Sequence, residues 1–262
     1  MLAGKNNYFR CMTNKTSNGK SFQRCIYCQD SEGSFSTKEH FFSESLGGGE
    51  WAILPDGLVC DTCQSYFGSK VEKTAISDWP FNFVRFNMAI PTKKKKPVQM
   101  DTDLGHMTAY KLPGYSMVHP KCESPTAHKS RFRETTIPAF PQEPRLVCRV
   151  LVKMAIGSLA QDKSVDVFAK RFDTARRFAR FGDTKIKWWY LERVNLKEMR
   201  KVFSLGAEAY KKPVNWEIVY LDGIPAFFHL TYFFLNIATP IEPHFEMNLP
   251  LELPEGTRLY RV

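Results

Sequence analysis

Two cysteine pairs, Cys25-x-x-Cys28 and Cys60-x-x-Cys63, bracket a stretch of 31 residues. Each pair makes a knuckle that points two sulfurs at one place, and together they supply the four thiolates of a tetrahedral structural zinc site. A thiol redox pair and chance spacing are the other readings of such a pattern. The bracketed stretch is too short for a core of its own, so a metal joining its two ends is what would let it fold. A closed four-sulfur site does no chemistry itself. Cys11, Cys122 and Cys148 bring the count to seven. An odd number with two C-x-x-C pairs fits a reducing compartment and argues for metal before disulfides. The three remaining cysteines are expected to have no metal role, with Cys148 a small hydrophobe on an apolar helix face.

The chain of 262 residues suits one large domain or two small ones, and 43% apolar with 14% aromatic residues is ample for a core. That content argues against disorder of the whole chain. A formal charge of +10 favours a polyanionic partner, nucleic acid first, over the alternative of an inert basic surface. No apolar run reaches the length of a membrane-spanning helix. The opening MLAGKNNYFRCMTNK has no apolar secretory segment, so a cytoplasmic protein is expected.

Composition and periodicity divide the chain into an N-terminal extension (1–20), a motif-dense module (21–77), a strand-and-loop connection (78–144) and a C-terminal domain (145–262). In the connection, FNFVRF reads as a strand and residues 113–144 as a proline-rich loop. From Arg145, Leu146, Val147, Val150, Leu151, Met154, Ala155 and Leu159 recur at helical spacing. A second helix is expected over VDVFAKRFDTARRFARFG, with Gly182 at its C-terminal end. KIKWWYLERV reads as a strand, Asn195 and Glu198 as a capping box, and Asp222-Gly223 as a hairpin turn whose second arm is an inner strand. The fold class expected is α+β, a small zinc-stapled module followed by a mixed helix and antiparallel-sheet domain.

Between the cysteine pairs lies STKEHFFSESLGGG, in which Glu39 and His40 stand side by side. The plain reading is a surface loop with an incidental histidine. The sharper reading gives Glu39 a metal and His40 a water. The stretch reads as a strand ending near His40, a glycine loop at Gly47–Gly49, a strand around AILPDGLVC and a helix over QSYFGSKVEKTA.

In that order the residues resemble the HNH, or His-Me finger, endonucleases with a ββα-metal core, in their zinc-stapled subgroup. Cys25, Cys28, Glu39-His40, Leu46-Gly47-Gly48, Cys60, Cys63 and Gln64 carry the resemblance, over about fifty residues of the chain. It implies phosphodiester hydrolysis in DNA, with RNA as the alternative. His40 would be the general base, and Glu39 with Gln64 would hold a catalytic Mg²⁺ or Mn²⁺, alongside a structural Zn²⁺. Gln64 stands where the family has Asn or His; it keeps an amide oxygen on a side chain one methylene longer. The family's central Asn is absent from Leu54-Pro55-Asp56-Gly57-Leu58, leaving Asp56 or a backbone carbonyl to orient the histidine. Ser43 replaces the usual proline. Glu72 shares a helix face with Gln64 and is read as a solvated carboxylate, with a metal-proximal role as the alternative. Bacterial chains of this organisation resemble effectors of anti-phage defence or mobile-element proteins, which implies a regulatory protein partner or a homo-oligomer.

Phosphate contacts are expected from Lys70 and Lys73 on the catalytic helix, from the run Lys93, Lys94, Lys95 and Lys96, and from Arg176, Arg177 and Arg180. A solvated face is the alternative for each cluster. Trp188, Trp189, Phe227, Phe228 and Tyr232 are expected in the core. The runner-up function is a zinc-stapled binding or interaction subunit without catalysis.

Overall fold

The computed structural model describes residues 23–103, 105–112, 115–120, 137–205, 213–245 and 253–262. The N-terminal extension, Cys11, Cys122 and most of the loop over 113–144 lie outside these residues. The architecture is α+β.

The cysteine-bracketed block comes first. The two strands expected around the Glu-His step shrink to a single antiparallel bridge between His40 and Ile53. Two hydrogen bonds flank it, Phe41 N–H to the Ala52 carbonyl and Leu54 N–H to the Glu39 carbonyl. Between them the chain is wound into two short 3-10 turns, Glu44–Leu46 and Glu50–Ala52. The pairing is short because the glycine loop folds back on the strand. Gly47 has φ +91°, and a Cβ on Gly48 would sit 2.1 Å from the Phe42 carbonyl oxygen, so the close return is open only to glycine. Helix α1 (Asp61–Tyr66) starts at the second cysteine pair, widens into π-type turns over Phe67–Glu72 and ends as α2 (Lys73–Ile76).

FNFVRF is a helix, not the strand expected: α3 spans Phe81–Asn87. Its phenylalanines fit a strand, but Phe81, Val84 and Arg85 are buried at helical spacing, Met88 just beyond the helix continues that face, and Phe86 is buried in a second cluster with Val98 and Ala109. Strands β1 (Val98–Thr102), β2 (Gly105–Leu112) and β3 (Tyr115–Pro120) follow as an antiparallel sheet.

Helix α4 (Pro144–Leu159) is the central element. Proline at its first position costs no hydrogen bond, and the Asp78 carboxylate accepts the Gln142 and Glu143 amides just before it. From Val147 to Leu159 every residue is buried. The second helix expected over 165–182 is shorter: a 3-10 turn Lys170–Phe172, α5 (Asp173–Arg176) and π-type turns Arg177–Phe181. Gly182 ends it at φ 64°, as a left-handed C-terminal glycine does.

A five-stranded antiparallel sheet closes the fold, in the order β5 (Val214–Leu221), β6 (Ile224–Tyr232), β7 (Leu235–Pro240), β4 (Trp189–Val194) and β8 (Thr257–Arg261). Asp222 and Gly223 turn β5 into β6 with φ of 50° and 77°, and β6 is an inner strand. Between β4 and β5 in the chain, α6 (Leu196–Leu205) opens with the Asn195 side chain accepting the Glu198 amide at 3.2 Å.

One continuous core joins the cysteine block to the C-terminal elements: Tyr27, Phe41, Phe67, Leu151, Ile156 and Phe228 belong to a single buried cluster. Trp216 of β5 packs 5.0 Å from both Phe41 and Trp51. Helix α4 comes this close through Gly157, where a Cβ would lie 2.4 Å from the Phe41 Cβ.

Candidate active site

The cysteine end of the site is built first. The four sulfurs of Cys25, Cys28, Cys60 and Cys63 lie within 4.8 Å of one another, with Cys28 and Cys60 3.6 Å apart. A tetrahedral zinc with Zn–S bonds of about 2.3 Å separates its sulfurs by about 3.8 Å. The cluster fits a structural zinc ion. Arg180 donates to the Cys63 sulfur at 3.1 Å while its guanidinium stacks 3.8 Å over the Tyr66 ring. A cationic donor of this kind stabilises thiolate charge and ties the zinc knuckle to the turns after α5.

The approach to His40 is held by Asp61, the residue after Cys60. Its carboxylate accepts the hydroxyls of Ser34 at 2.6 Å, Ser36 at 2.7 Å and Thr37 at 2.5 Å, and the amides of Ser36 and Thr37. The Ser34, Thr37 and Ser36 hydroxyls, with backbone amide donors, hold its carboxyl well below the usual carboxylate range. The serines and threonine of the stretch before Glu39 therefore form one clamp.

Glu39 and His40 point into different surroundings. Glu39 is buried, and Lys153 of α4 comes to 2.5 Å from its carboxylate. The same ammonium lies 2.5 Å from Glu72 and donates to the His40 carbonyl at 2.9 Å. Lys153 is only 1% exposed, and the Tyr27 hydroxyl donates to its carbonyl at 3.1 Å. Burial opposes the lysine charge, but Glu39 and Glu72 outweigh it and raise its pKa. Burial raises the Glu39 pKa, partly offset by Lys153. Glu72 is thus an ion-paired group and not the solvated carboxylate expected. His40 is half-buried, and burial, aided by Lys93 and Lys153, lowers its pKa below 6.5. Among the described residues nothing hydrogen-bonds to its ring, neither Asp56 nor a backbone carbonyl.

Glu39, His40, Gln64 and Glu72 line one cleft of about 670 Å³. Gln64 donates its amide N–H to the Lys38 carbonyl at 2.8 Å, which leaves its amide oxygen as the free end. Two carboxylates and an amide oxygen are a hard donor set that suits Mg²⁺ or Mn²⁺. Lys153 meets the same two carboxylates, so a divalent cation there would share them with an ammonium.

Of the cations expected to contact phosphate, Lys73, Lys93 and Lys94 line this cleft. Lys70, Lys95 and Lys96 are not among its walls. The arginines are placed otherwise. Arg176 is 2% exposed and donates to the carbonyls of Ile26, Val167 and Ala169 and to Asp173, so it braces the interior and offers no phosphate contact. Arg177 is exposed and paired with Asp183 at 2.5 Å. Arg180 serves the zinc knuckle. An amphipathic pattern offered this face to phosphate, but the helix is short and two of its arginines turn to the cysteine block, Arg176 to the Ile26 carbonyl and Arg180 to the Cys63 sulfur.

Residues 25–80 match the family model described as HNH endonuclease. This segment is an HNH module. Comparisons with curated proteins and with solved structures found no significant match. The match covers the cysteine cluster, the Glu-His step and Glu72, and supports nuclease activity on a nucleic acid. Lys153 and Arg85 lie outside it, and sequence reasoning passed over both. The signal for Lys153 was a lysine inside the apolar run VLVKMAIG, with Arg149 one helical turn before it. Among the described residues, no helix is long and apolar enough to cross a membrane.

Proposed function

We propose that the chain is a divalent-metal-dependent endonuclease that hydrolyses phosphodiester bonds in DNA at the cleft bearing Glu39 and His40. The observation that carries this reading is the half-buried His40, its pKa lowered by burial, opening onto the same cleft as Glu39, Gln64 and Glu72. A neutral imidazole takes a proton from water at neutral pH, which suits a general base. Glu39, Glu72 and the Gln64 amide oxygen would hold Mg²⁺ or Mn²⁺, which supplies charge stabilisation at the phosphate. Lys73, Lys93 and Lys94 draw the phosphates of the strand into the cleft. Lys153 holds Glu39 in place and fixes the backbone carbonyl of His40.

The same lysine favours a second reading, a binding subunit without catalysis, because an ammonium already joins the two carboxylates. Cleavage of supercoiled plasmid and of single-stranded DNA with Mg²⁺ or Mn²⁺ separates them. Cutting that requires metal and falls by about two to four orders of magnitude in His40→Ala is expected for the endonuclease. Equal cutting by the two proteins would remove His40 as the base. DNA binding with no cutting would favour the second reading. The organisation of the chain, an HNH module followed by a larger C-terminal part, supports a role in defence against phage together with a regulatory partner or a second copy of the chain.

A further inference from the structure

Four basic side chains are buried among the described residues: Arg85, Arg149, Lys153 and Arg176. Three are fully engaged. Lys153 meets two carboxylates and a carbonyl. Arg149 donates to the carbonyls of Ala179 and Arg180 and to the Tyr66 hydroxyl. Arg176 has three carbonyls and Asp173. Arg85 is the exception. It is 5% exposed, and among the described residues its guanidinium makes one long hydrogen bond, 3.5 Å to the Ile76 carbonyl, and its Nε has no partner. Tyr232, the neighbour felt by its charge, also has a buried hydroxyl without a partner among the described residues.

A buried guanidinium without a counter-charge is costly to hold. Its place suggests what completes it. Arg85 lines the cleft that contains Glu39 and His40, and it also lines a second cleft of about 770 Å³. Ser77 and Thr92 are shared by the two as well, so the clefts meet at Arg85. The second is walled by Asn82, Phe83, Gln99, His106 and Tyr110 among others, amides and rings of the kind that receive bases. The acids along it are already occupied: Asp78 accepts three backbone amides and Asp101 holds His106.

We propose that Arg85 is a phosphate-binding residue at the junction of the two clefts. Its guanidinium takes a non-bridging oxygen of a phosphodiester next to the one attacked at His40, and the strand continues into the second cleft. This rests on the proposed function for the identity of the anion. Arginine suits the task, since its planar fork matches two phosphate oxygens.

The test is binding of a fluorescent single-stranded DNA oligonucleotide by the full chain in EDTA, across a series of salt concentrations. Native protein, Arg85→Gln and Arg85→Lys are compared, with zinc content and thermal melting to verify folding. Arg85→Gln is expected to bind about ten-fold more weakly and to lower the salt slope by about 0.7–1. Arg85→Lys should restore the slope. A second arm scans neutral methylphosphonate linkages along the oligonucleotide. One position should weaken the native chain and Arg85→Lys and leave Arg85→Gln indifferent, and Arg85→Met takes the place of Arg85→Gln in both arms if Arg85→Gln does not fold. Unchanged affinity and slope in Arg85→Gln, or no position that distinguishes the proteins, overturns the assignment. Arg85-dependent binding by a chain that never cuts would sink the nuclease reading and leave this one standing. Cutting by a chain indifferent to Arg85 does the reverse, and absence of binding by the native chain overturns both.

Discussion

The ammonium of Lys153 lies 2.5 Å from Glu39, so a cation from the central helix of the C-terminal half holds the acid beside His40. With Glu72 at the same distance, one lysine fastens two carboxylates that would otherwise face each other in a buried place. The HNH module is therefore completed by a residue far outside it.

Replacing Lys153 with methionine leaves that acid pair without its cation. Removing one partner of a buried ion pair costs roughly 3–5 kcal/mol, and urea denaturation at neutral pH should show a loss of this order. Mn²⁺ should then restore more stability to Lys153→Met than it adds to the native chain, because the two carboxylates are left to the metal alone. An equal effect of Mn²⁺ on both proteins would mean that the metal does not meet Glu39 and Glu72.

The pH profile of cleavage should report His40. A general base works deprotonated, so the rate rises as pH increases through its pKa and then levels. Burial lowers that pKa, so the acidic limb should have its midpoint below 6.5. Single-turnover rates in Mn²⁺ between weakly acidic and neutral pH are the measurement, and a midpoint above 6.5 would contradict the assignment.

Asp61 should make stability depend on acid. Its carboxyl titrates well below the usual range in the folded chain, held by the Ser34, Thr37 and Ser36 hydroxyls. Its contribution is present in full above the unfolded value, about 4, and is lost as pH falls through the lower folded value. Asp61→Asn should be less stable than the native chain at neutral pH, and the gap should close toward strong acid. Thermal melts of the two proteins over that window decide it.

Zinc removal should unfold more than the HNH module. The four cysteines anchor a block whose Phe41 and Trp51 pack on Trp216. Metal analysis should give one zinc per chain, and a strong chelator should change tryptophan fluorescence and abolish the single thermal transition. An apo chain that melts like the native one would show the cluster to be dispensable.

Much of this was legible in the sequence, and the rest was hidden for identifiable reasons. The cysteine spacing, the Asp222-Gly223 turn and the apolar face of α4 are local signals that reappear, and of the Asn195–Glu198 capping box the Asn195 half forms while the Asn195 amide goes to the Phe234 carbonyl. FNFVRF failed because its phenylalanines satisfy both periods, and only packing made Phe81, Val84 and Arg85 the inner face. Arg176 read as a phosphate contact because a short helix shows which face is outside only when its neighbours are in place. Glu72 and Lys153 are 81 positions apart, a pairing that no local pattern encodes.

The dependence of Glu39 on Lys153 also has a consequence in time. A ribosome makes residues 25–80 well before it makes α4. Until that helix has emerged, Glu39 and Glu72 lack their lysine, Phe41 lacks its seat against Gly157, and the exposed aromatics have nothing to cover them. The nascent chain should therefore pass through most of its synthesis with this cleft unassembled, and only docking of the second half completes it.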